Sequence, residues 1–527
     1  MKKRIAVIFL ASLLLITLFA GCSAGGSTAT TAATTAAGAT TAAATTTAVV
    51  KKDDITVNMW IVENPSYLYA KDLVCERAIN AATGIYFNVT PFQDGISDKI
   101  NLGLASGELP DLAAAFSASE AAIWGLQGAL VNYEGKLTGM PNYQAWLAAQ
   151  QDGYTDMFYA ADGGLYVTPQ IGYGMGNNST IWDYRKDLFE KFEIAVPKTE
   201  VELHDACLKL KEEYPDSYPL ANRSWPGILD RIVWQWGGGY GMYYSNADSA
   251  WTYGSTAEPM KECITWLHQM WEDELIPTNW FSMTTADWQE IISTNKGFVF
   301  NDYYGRLDTY TNAMKADNPD VQFAFMDPFE GGGSGVKTFN AQTQLLTSGY
   351  VTFVSSKYVD RLLNMFDWMY SEDGITAMNW GIEGESYTVN ADGTKSHIGI
   401  VAGQSNFFDY PTKFGFYQRG FYLNCDTVAM NTFASEYARE AIEKIGEFSG
   451  EYRLPAISWS DKNLEQYNIL NDPINTAMQQ ALGDFISGQR SLDDWDAYVQ
   501  EIEKLGLKDL IDLYNQQQTE INDKLSK

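Results

Sequence analysis

The chain has 527 residues, with 66 acidic side chains against 36 Lys and Arg and a formal charge of −30. So acidic a body repels nucleic acid and anionic lipid surfaces, which argues against either as a partner. Its length is enough for two or three domains with substantial cores.

The chain opens with Lys2, Lys3 and Arg4, an apolar run from Ile5 to Ala20, and then Gly21-Cys22. This is the layout of an export signal, and the run is shorter than the roughly 20 residues a spanning helix needs. Leu18-Phe19-Ala20-Gly21-Cys22 resembles the lipobox of bacterial lipoproteins, which implies that residues 1–22 are a signal peptide and that Cys22 carries the lipid. Removing that signal takes away three positive charges and leaves −33. From Ser23 to Ala48 the chain is almost wholly Ala, Thr, Gly and Ser. Such a stretch cannot bury enough surface to offset its ordering entropy, so residues 23–52 are expected to be a disordered tether. A coil of about 27 residues spans on the order of 30 Å. No other run is apolar enough to cross a bilayer, so the expected membrane contact is the lipid anchor alone.

Ile55–Trp60 reads as a first strand, and Glu63-Asn64-Pro65 as the loop leaving it. A helical pattern over 69–83 precedes a second strand at Tyr86–Thr90, and a short helix from Asp98 is stopped by Gly107. Leu109–Ala113 leads into Phe116-Ser117 as a third strand and loop. Strand and helix alternating at this spacing predict a parallel α/β sheet, in which ligands bind beyond the carboxyl ends of the strands. A second α/β region follows Gly164. Leu165–Pro169 is strand-like, Tyr184–Leu188 opens a helix, and Thr199 with Glu202 has the layout of a helix cap. The pattern predicts a helix over 259–273 and a strand at Gly297–Phe300 that runs into Asn301–Arg306. Gly331–Gly335 lacks the G-K-[ST] ending of a phosphate loop and reads as a surface turn. Asn390–Gly393 reads as a hairpin turn, and Ser491–Asp494 as the cap of a helix through Leu505.

Beyond Cys22 the four cysteines are scattered, and none of the three histidines falls in a zinc-binding or catalytic spacing. No metal or cofactor is expected. The 16 Trp, 31 Tyr and 25 Phe suit a core, and equally a carbohydrate groove in which sugar rings pack on aromatic faces.

The order of segments resembles the extracellular solute-binding lipoproteins of ABC importers, of the type related to maltose-binding protein. The resemblance rests on Leu-Ala-Ser-Gly-Glu-Leu-Pro-Asp111, Gly164-Leu-Tyr-Val-Thr-Pro169 and Tyr184-Arg-Lys-Asp-Leu188 with Pro197-Lys-Thr199. It continues through Trp380-Gly-Ile-Glu-Gly384 and Ser491-Leu-Asp-Asp-Trp495 with Leu505-Gly-Leu507, and covers nearly the whole mature chain. It implies the type II two-lobe periplasmic-binding-protein-like α/β fold, each lobe made of discontinuous segments joined by hinge strands. The lobes would comprise residues 53–166 with 328–378, and 167–327 with 379–527. Crossings would fall near Gly164–Pro169, near Phe325–Pro328 and around Met378. The implied function is capture of an oligosaccharide or sugar derivative in the interlobe cleft, followed by docking of the closed form on a membrane permease. The protein would be a monomer on the outer face of a Gram-positive cytoplasmic membrane.

Glu63, Asn64 and Phe116 are candidate ligand contacts because they follow strands. Trp225, Trp234, Trp236 and Tyr240 are candidate stacking platforms beside Gly237-Gly-Gly239, with a lobe core as the competing reading. Asp302, Tyr303, Tyr304 and Arg306 suit recognition of paired hydroxyls, against a structural ion pair. Trp380 and Glu383 sit in a segment that reads equally as a turn. Two other functions share these features. A cell-surface glycoside hydrolase would need two facing carboxylates about 5–10 Å apart, and no sequence spacing shows such a pair. A carbohydrate sensor or adhesin would differ only in lacking a permease.

Overall fold

A computed structural model of the chain describes residues 53–63, 68–150, 155–171, 180–338, 345–403, 409–416, 421–448, 457, 459 and 461–525. The expected signal, lipobox and tether lie outside them. The strands in chain order are β1 (Ile55–Val62), β2 (Ile85–Phe92), β3 (Leu112–Ser117), β4 (Thr168–Ile171), β5 (Thr180–Arg185) and β6 (Met242–Ser245). They continue with β7 (Ala250–Tyr253), β8 (Val299–Tyr303), β9 (Phe323–Met326), β10 (Leu345–Thr352), β11 (Tyr387–Val389) and β12 (Lys395–His397).

The first sheet has the order β2-β1-β3-β10-β4. In β1 every second residue, Val57, Met59 and Ile61, is buried, the period-two pattern that made the strand legible. Helices Val74–Thr83 and Ile96–Ser106 connect β1, β2 and β3, and β1 is parallel to both neighbours. Gly107 ends the second helix at φ 81°, a conformation that favours glycine. Strand β10 enters antiparallel between β3 and β4. The second sheet has the order β8-β5-β9, with both neighbours antiparallel to β5. Residues 219–222 run beside β8, where the Ala221 amide donates to the Val299 carbonyl at 2.9 Å. Strands β6 with β7 and β11 with β12 form separate hairpins, the latter around the expected turn.

Two large apolar clusters follow the sheets. One gathers side chains from Val57 to Val167, from Tyr350 to Met378, and from Phe416 to Phe433. The other takes residues from Ile181 to Phe329 and from Ala434 to Leu510. This is the two-lobe α/β arrangement, with each lobe assembled from separated segments. Three details differ from the sequence reading. Strand β4 belongs to the first sheet, because its backbone pairs with β10, so the first crossing lies after Ile171 and not at 166. Tyr184 does not open a helix. It lies in β5, and the helix starts at Lys186. Among the described residues of 379–433, Phe416, Phe421–Leu423, Cys425, Met430 and Phe433 belong to the first cluster. The buried amide of Asn379 donates to the Asn424 carbonyl at 2.8 Å and accepts the Asp426 amide at 2.8 Å. Phe421 packs edge-on to Phe87, with ring centres 5.5 Å apart.

Strand β10 bends at Gly349, where its register with both neighbours shifts. A Cβ at Gly349 would fall on the Thr168 carbonyl of β4, and both partners there are backbone. Gly349→Ala is therefore expected to destabilise the chain by about 3 kcal/mol or more. The check is the midpoint of denaturant unfolding; an unchanged midpoint would show that the two strands separate at no cost.

Candidate site at the facing sheet edges

Register locates the site. In the first sheet Val62 pairs with Phe92, Ser117 with Ser348, and Ile171 with Leu345, so the carboxyl ends of β1, β2, β3 and β4 share one edge. In the second sheet Thr180 pairs with Tyr303 and Trp182 with Met326, so the ends of β8 and β9 share an edge with the start of β5. Residues 172–179 join Ile171 to Thr180, and residues 327–344 join Met326 to Leu345. Both connections therefore run between the same two edges. A ligand held beyond the strand ends would lie between them.

On the first edge the Glu63 carboxylate accepts the Tyr69 amide at 3.1 Å and the Gln93 side chain at 3.4 Å. Ser117 caps helix Ala118–Leu126, and Glu120 is tied back by the Ser97 hydroxyl at 2.6 Å. Asn64 lies outside the described residues.

The second edge is built on Asp302, which has no exposed surface. A buried carboxylate must be matched by donors and positive charge. Arg223 donates to it through Nε at 2.5 Å and Nη2 at 3.1 Å, Arg306 through Nε at 3.2 Å, and the Tyr303 amide at 2.9 Å. Arg231 Nη1 stands 4.0 Å away. Burial raises the Asp302 pKa, but the hydrogen bonds and charge of Arg223, with the charge of Arg306, outweigh it and leave it below the ordinary value. Arg223 and Arg306 both lie over the Trp288 ring, at 5.1 and 5.5 Å, and Trp288 donates its indole N–H to the Ala221 carbonyl at 2.7 Å. Asp183, on β5, is also fully buried, and neither oxygen has a hydrogen-bond partner. Burial first, then the charge of Asp302, push its pKa well up, so it is held protonated.

The other expected contacts divide clearly. Tyr303 is 45% exposed at the strand end. Trp225 is half-buried against Trp280 and Phe281, and Tyr240 is half-buried with its hydroxyl pushed up to about 12 by burial and by Asp230. Phe116, Trp234, Trp236, Tyr304 and Trp380 are corrections, because each is buried. Phe116 packs edge-on to Trp124, Trp234 edge-on to Tyr243, and Trp236 against Trp266 and Phe329. Tyr304 lies in the larger cluster. Trp380 stacks on His397 with ring centres 4.5 Å apart and donates to Asp426 at 2.7 Å. Glu383 is exposed in the turn between Gly381 and Gly384, both at positive φ, so the turn reading holds for this pair. The sequence reading missed Arg223, Arg231 and Asp183. The available signal was scarcity, since the chain has only eleven arginines, of which Arg223 directly precedes the aromatic-rich stretch at 224–236 and Arg231 lies within it.

No model of a known protein family matches the chain. The fructooligosaccharide ABC transporter substrate-binding protein FusA of Streptococcus pneumoniae serotype 4 (strain ATCC BAA-334 / TIGR4) is 22% identical over 479 residues, covering 83% of this chain and 85% of that protein. Lipoprotein LipO of Bacillus subtilis (strain 168) is 22% identical over 333 residues, 59% of this chain and 63% of its own. This chain is related to the substrate-binding proteins of ABC transporters. Solved substrate-binding proteins have its fold. The alginate-binding protein AlgQ2, in its crystal structure without calcium ion, superposes with a TM-score of 0.74 at 16% identity, covering 89% of this chain and 99% of AlgQ2. An HMO-binding, ABC-transporter-associated protein from Bifidobacterium longum infantis ATCC 15697 gives 0.71 at 16% identity, covering 90% and 100%. Among the described residues of the chain, no group of three or more His, Cys, Asp or Glu could hold a metal ion.

The Asp183 environment makes a prediction with a definite sign. A carboxyl whose folded pKa is raised costs stability progressively as pH rises above its ordinary value of 3.8, by up to about 1.4 kcal/mol per pH unit until the folded value is reached. Asp183→Asn is therefore expected to melt higher than the parent at pH 7 and to lose that advantage towards pH 4. Equal melting curves at both pH values would mean that Asp183 is ionised in the fold.

Proposed function

We propose that the chain is the solute-binding subunit of an ABC importer. It captures an oligosaccharide or sugar derivative between its two lobes and delivers it, by closure about the β4–β5 and β9–β10 connections, to a membrane permease. The observation that carries this reading is that both connections join the same two strand-end edges, so the lobes can pivot while the groups on those edges converge. Glu63, Trp225, Tyr240, Tyr303 and Arg306 are the groups we place at the ligand, with Tyr303 as the exposed platform and the buried Asp302, an expected contact that burial corrects, holding Arg306 from beneath. The similarity to a protein named for fructooligosaccharide transport supports the sugar class.

What supports capture over hydrolysis is the state of the acidic pair on the second edge. Asp183 and Asp302 both have no exposed surface, whereas a glycosidase needs two carboxylates that reach the scissile bond. Lipidation of Cys22 after removal of residues 1–22 would hold a monomeric body at the outer face of a Gram-positive membrane. The Gly21-Cys22 motif and the relative named as a lipoprotein support that placement. Among the described residues no helix is long and apolar enough to cross a membrane.

A thermal-shift screen of oligosaccharides, with peptides and amino acids as controls, tests the function. At a hundredfold excess over Kd a true ligand adds roughly 2.7 kcal/mol of stability, and no product should appear. A shift with peptides alone would sink the sugar reading. Cys22→Ala should move the chain from the membrane fraction into the medium. Retention with the membrane would place the anchor elsewhere.

A further inference from the structure

The arginines on the second edge carry more donor capacity than the protein uses. Arg306 gives only Nε to Asp302. The side chain of Arg231, in the short helix Leu229–Ile232, makes no hydrogen bond among the described residues, and its buried Nη1 stands 4.0 Å from Asp302. The side chains of Arg223, Arg231 and Arg306 are 14%, 19% and 13% exposed, so all three guanidinium groups sit close beneath the surface. Water does not fully solvate them there, and buried donors left unmade are costly. Arg231 also lies over the exposed Tyr303 ring at 5.6 Å, which places a guanidinium with unused donors beside the aromatic platform.

The charges do not cancel. Three guanidinium groups face the Asp302 carboxylate and, beside Arg231, Asp230. Burial pushes Asp230 up to about 6 against the charge of Arg231 and a hydrogen bond from Trp234, which leaves it ionised at neutral pH. Asp183 is held neutral by burial and by Asp302. The cluster therefore keeps a net positive charge on a body whose overall balance is strongly negative. A surplus of cation at this edge has no structural use in pairing. A hydroxyl can accept from an arginine, but only an anion uses the planar fork in paired, charge-assisted bonds.

We infer that the ligand is an acidic saccharide, one whose carboxylate or ester sulfate is taken by Arg231 and Arg306 while a neighbouring sugar ring packs on Tyr303. This rests on the reading of the chain as an oligosaccharide-binding subunit and names the substrate class within it.

Titration calorimetry of the purified chain tests it, with oligogalacturonides, glucuronate-terminated disaccharides and sulfated disaccharides set against their carboxyl-reduced or desulfated counterparts. Binding of an acidic member about 10- to 100-fold tighter than its neutral counterpart is expected, the range of one to two charge-assisted bonds. Arg231→Gln should remove most of that preference, and Arg231→Lys only part of it, in proteins whose melting temperatures match the parent. Equal affinity for the two members of each pair, or an equal loss for both in Arg231→Gln, would overturn the inference. Binding of neutral sugars alone overturns it and leaves the importer reading standing. Binding of neither class overturns both.

Discussion

Strand β10 lies between β3 and β4 and is antiparallel to both. The chain that leaves the first sheet after Ile171 and the chain that returns at Leu345 therefore do so side by side. That ladder is well anchored: the Tyr350 amide donates to the Thr168 hydroxyl at 3.1 Å, and the Tyr370 hydroxyl donates to the Pro169 carbonyl at 2.7 Å. Had β10 entered at the far side of β2, the two connections would splay apart, and the lobes would be fixed at two distant points. Placing them together brings two of the crossings between the clusters side by side, an arrangement compatible with the hinge closure proposed above. The candidate site, beyond the strand ends that the two connections join, follows from this single pairing.

The second edge depends on a different constraint. Two carboxylates, Asp183 and Asp302, are buried within one three-stranded sheet, and both cannot stay ionised in so dry a place. The fold separates them by surroundings. Asp302 is ringed by arginines drawn from three stretches of chain, whereas Asp183 is buried beside Asp302 with no hydrogen-bond partner on either oxygen, which favours its protonated form. Stability is given up at Asp183 in favour of an arrangement that fixes arginines at the mouth of the lobe. Sites that bind ligands commonly carry such local penalties.

The start of the first lobe was legible because β1 is buried on one face and the two helices that follow β1 and β2 end at Gly84 and Gly107. Val57, Met59 and Ile61 alternate, and Gly107 stops its helix as expected. Strand β5 was read only in part. It is buried at every position between β8 and β9, so its residues carry no period-two signal, and Tyr184-Arg185 looked like the start of the helix that follows. At the site, Asp302, Tyr303 and Arg306 were accessible because they end a recognisable strand. Arg223 and Arg231 were not, since no local pattern announces that residues 219–222 lie against β8. Aromatic count alone could not separate Trp236, wedged between Trp266 and Phe329, from Tyr303, which keeps a face to solvent. The return to the second cluster was expected around Met378, as the family resemblance implied. Long-range contacts of Asn379 and Phe421 hold that stretch to the first lobe instead.

The late return has a consequence for how the molecule is made. The first core begins at Val57 but takes its last side chains from Phe416 to Phe433, while the second begins at Ile181 and is still gathering residues at Leu510. A chain delivered from its first residue onward can therefore complete neither core until most of it has emerged. Its sheets close by pairings between residues hundreds of positions apart, and such contacts form slowly because a long loop must be ordered first. During synthesis the two halves must wait for each other, and the stretch from Val57 to Phe433 stays without a finished core until nearly four hundred residues are available to it.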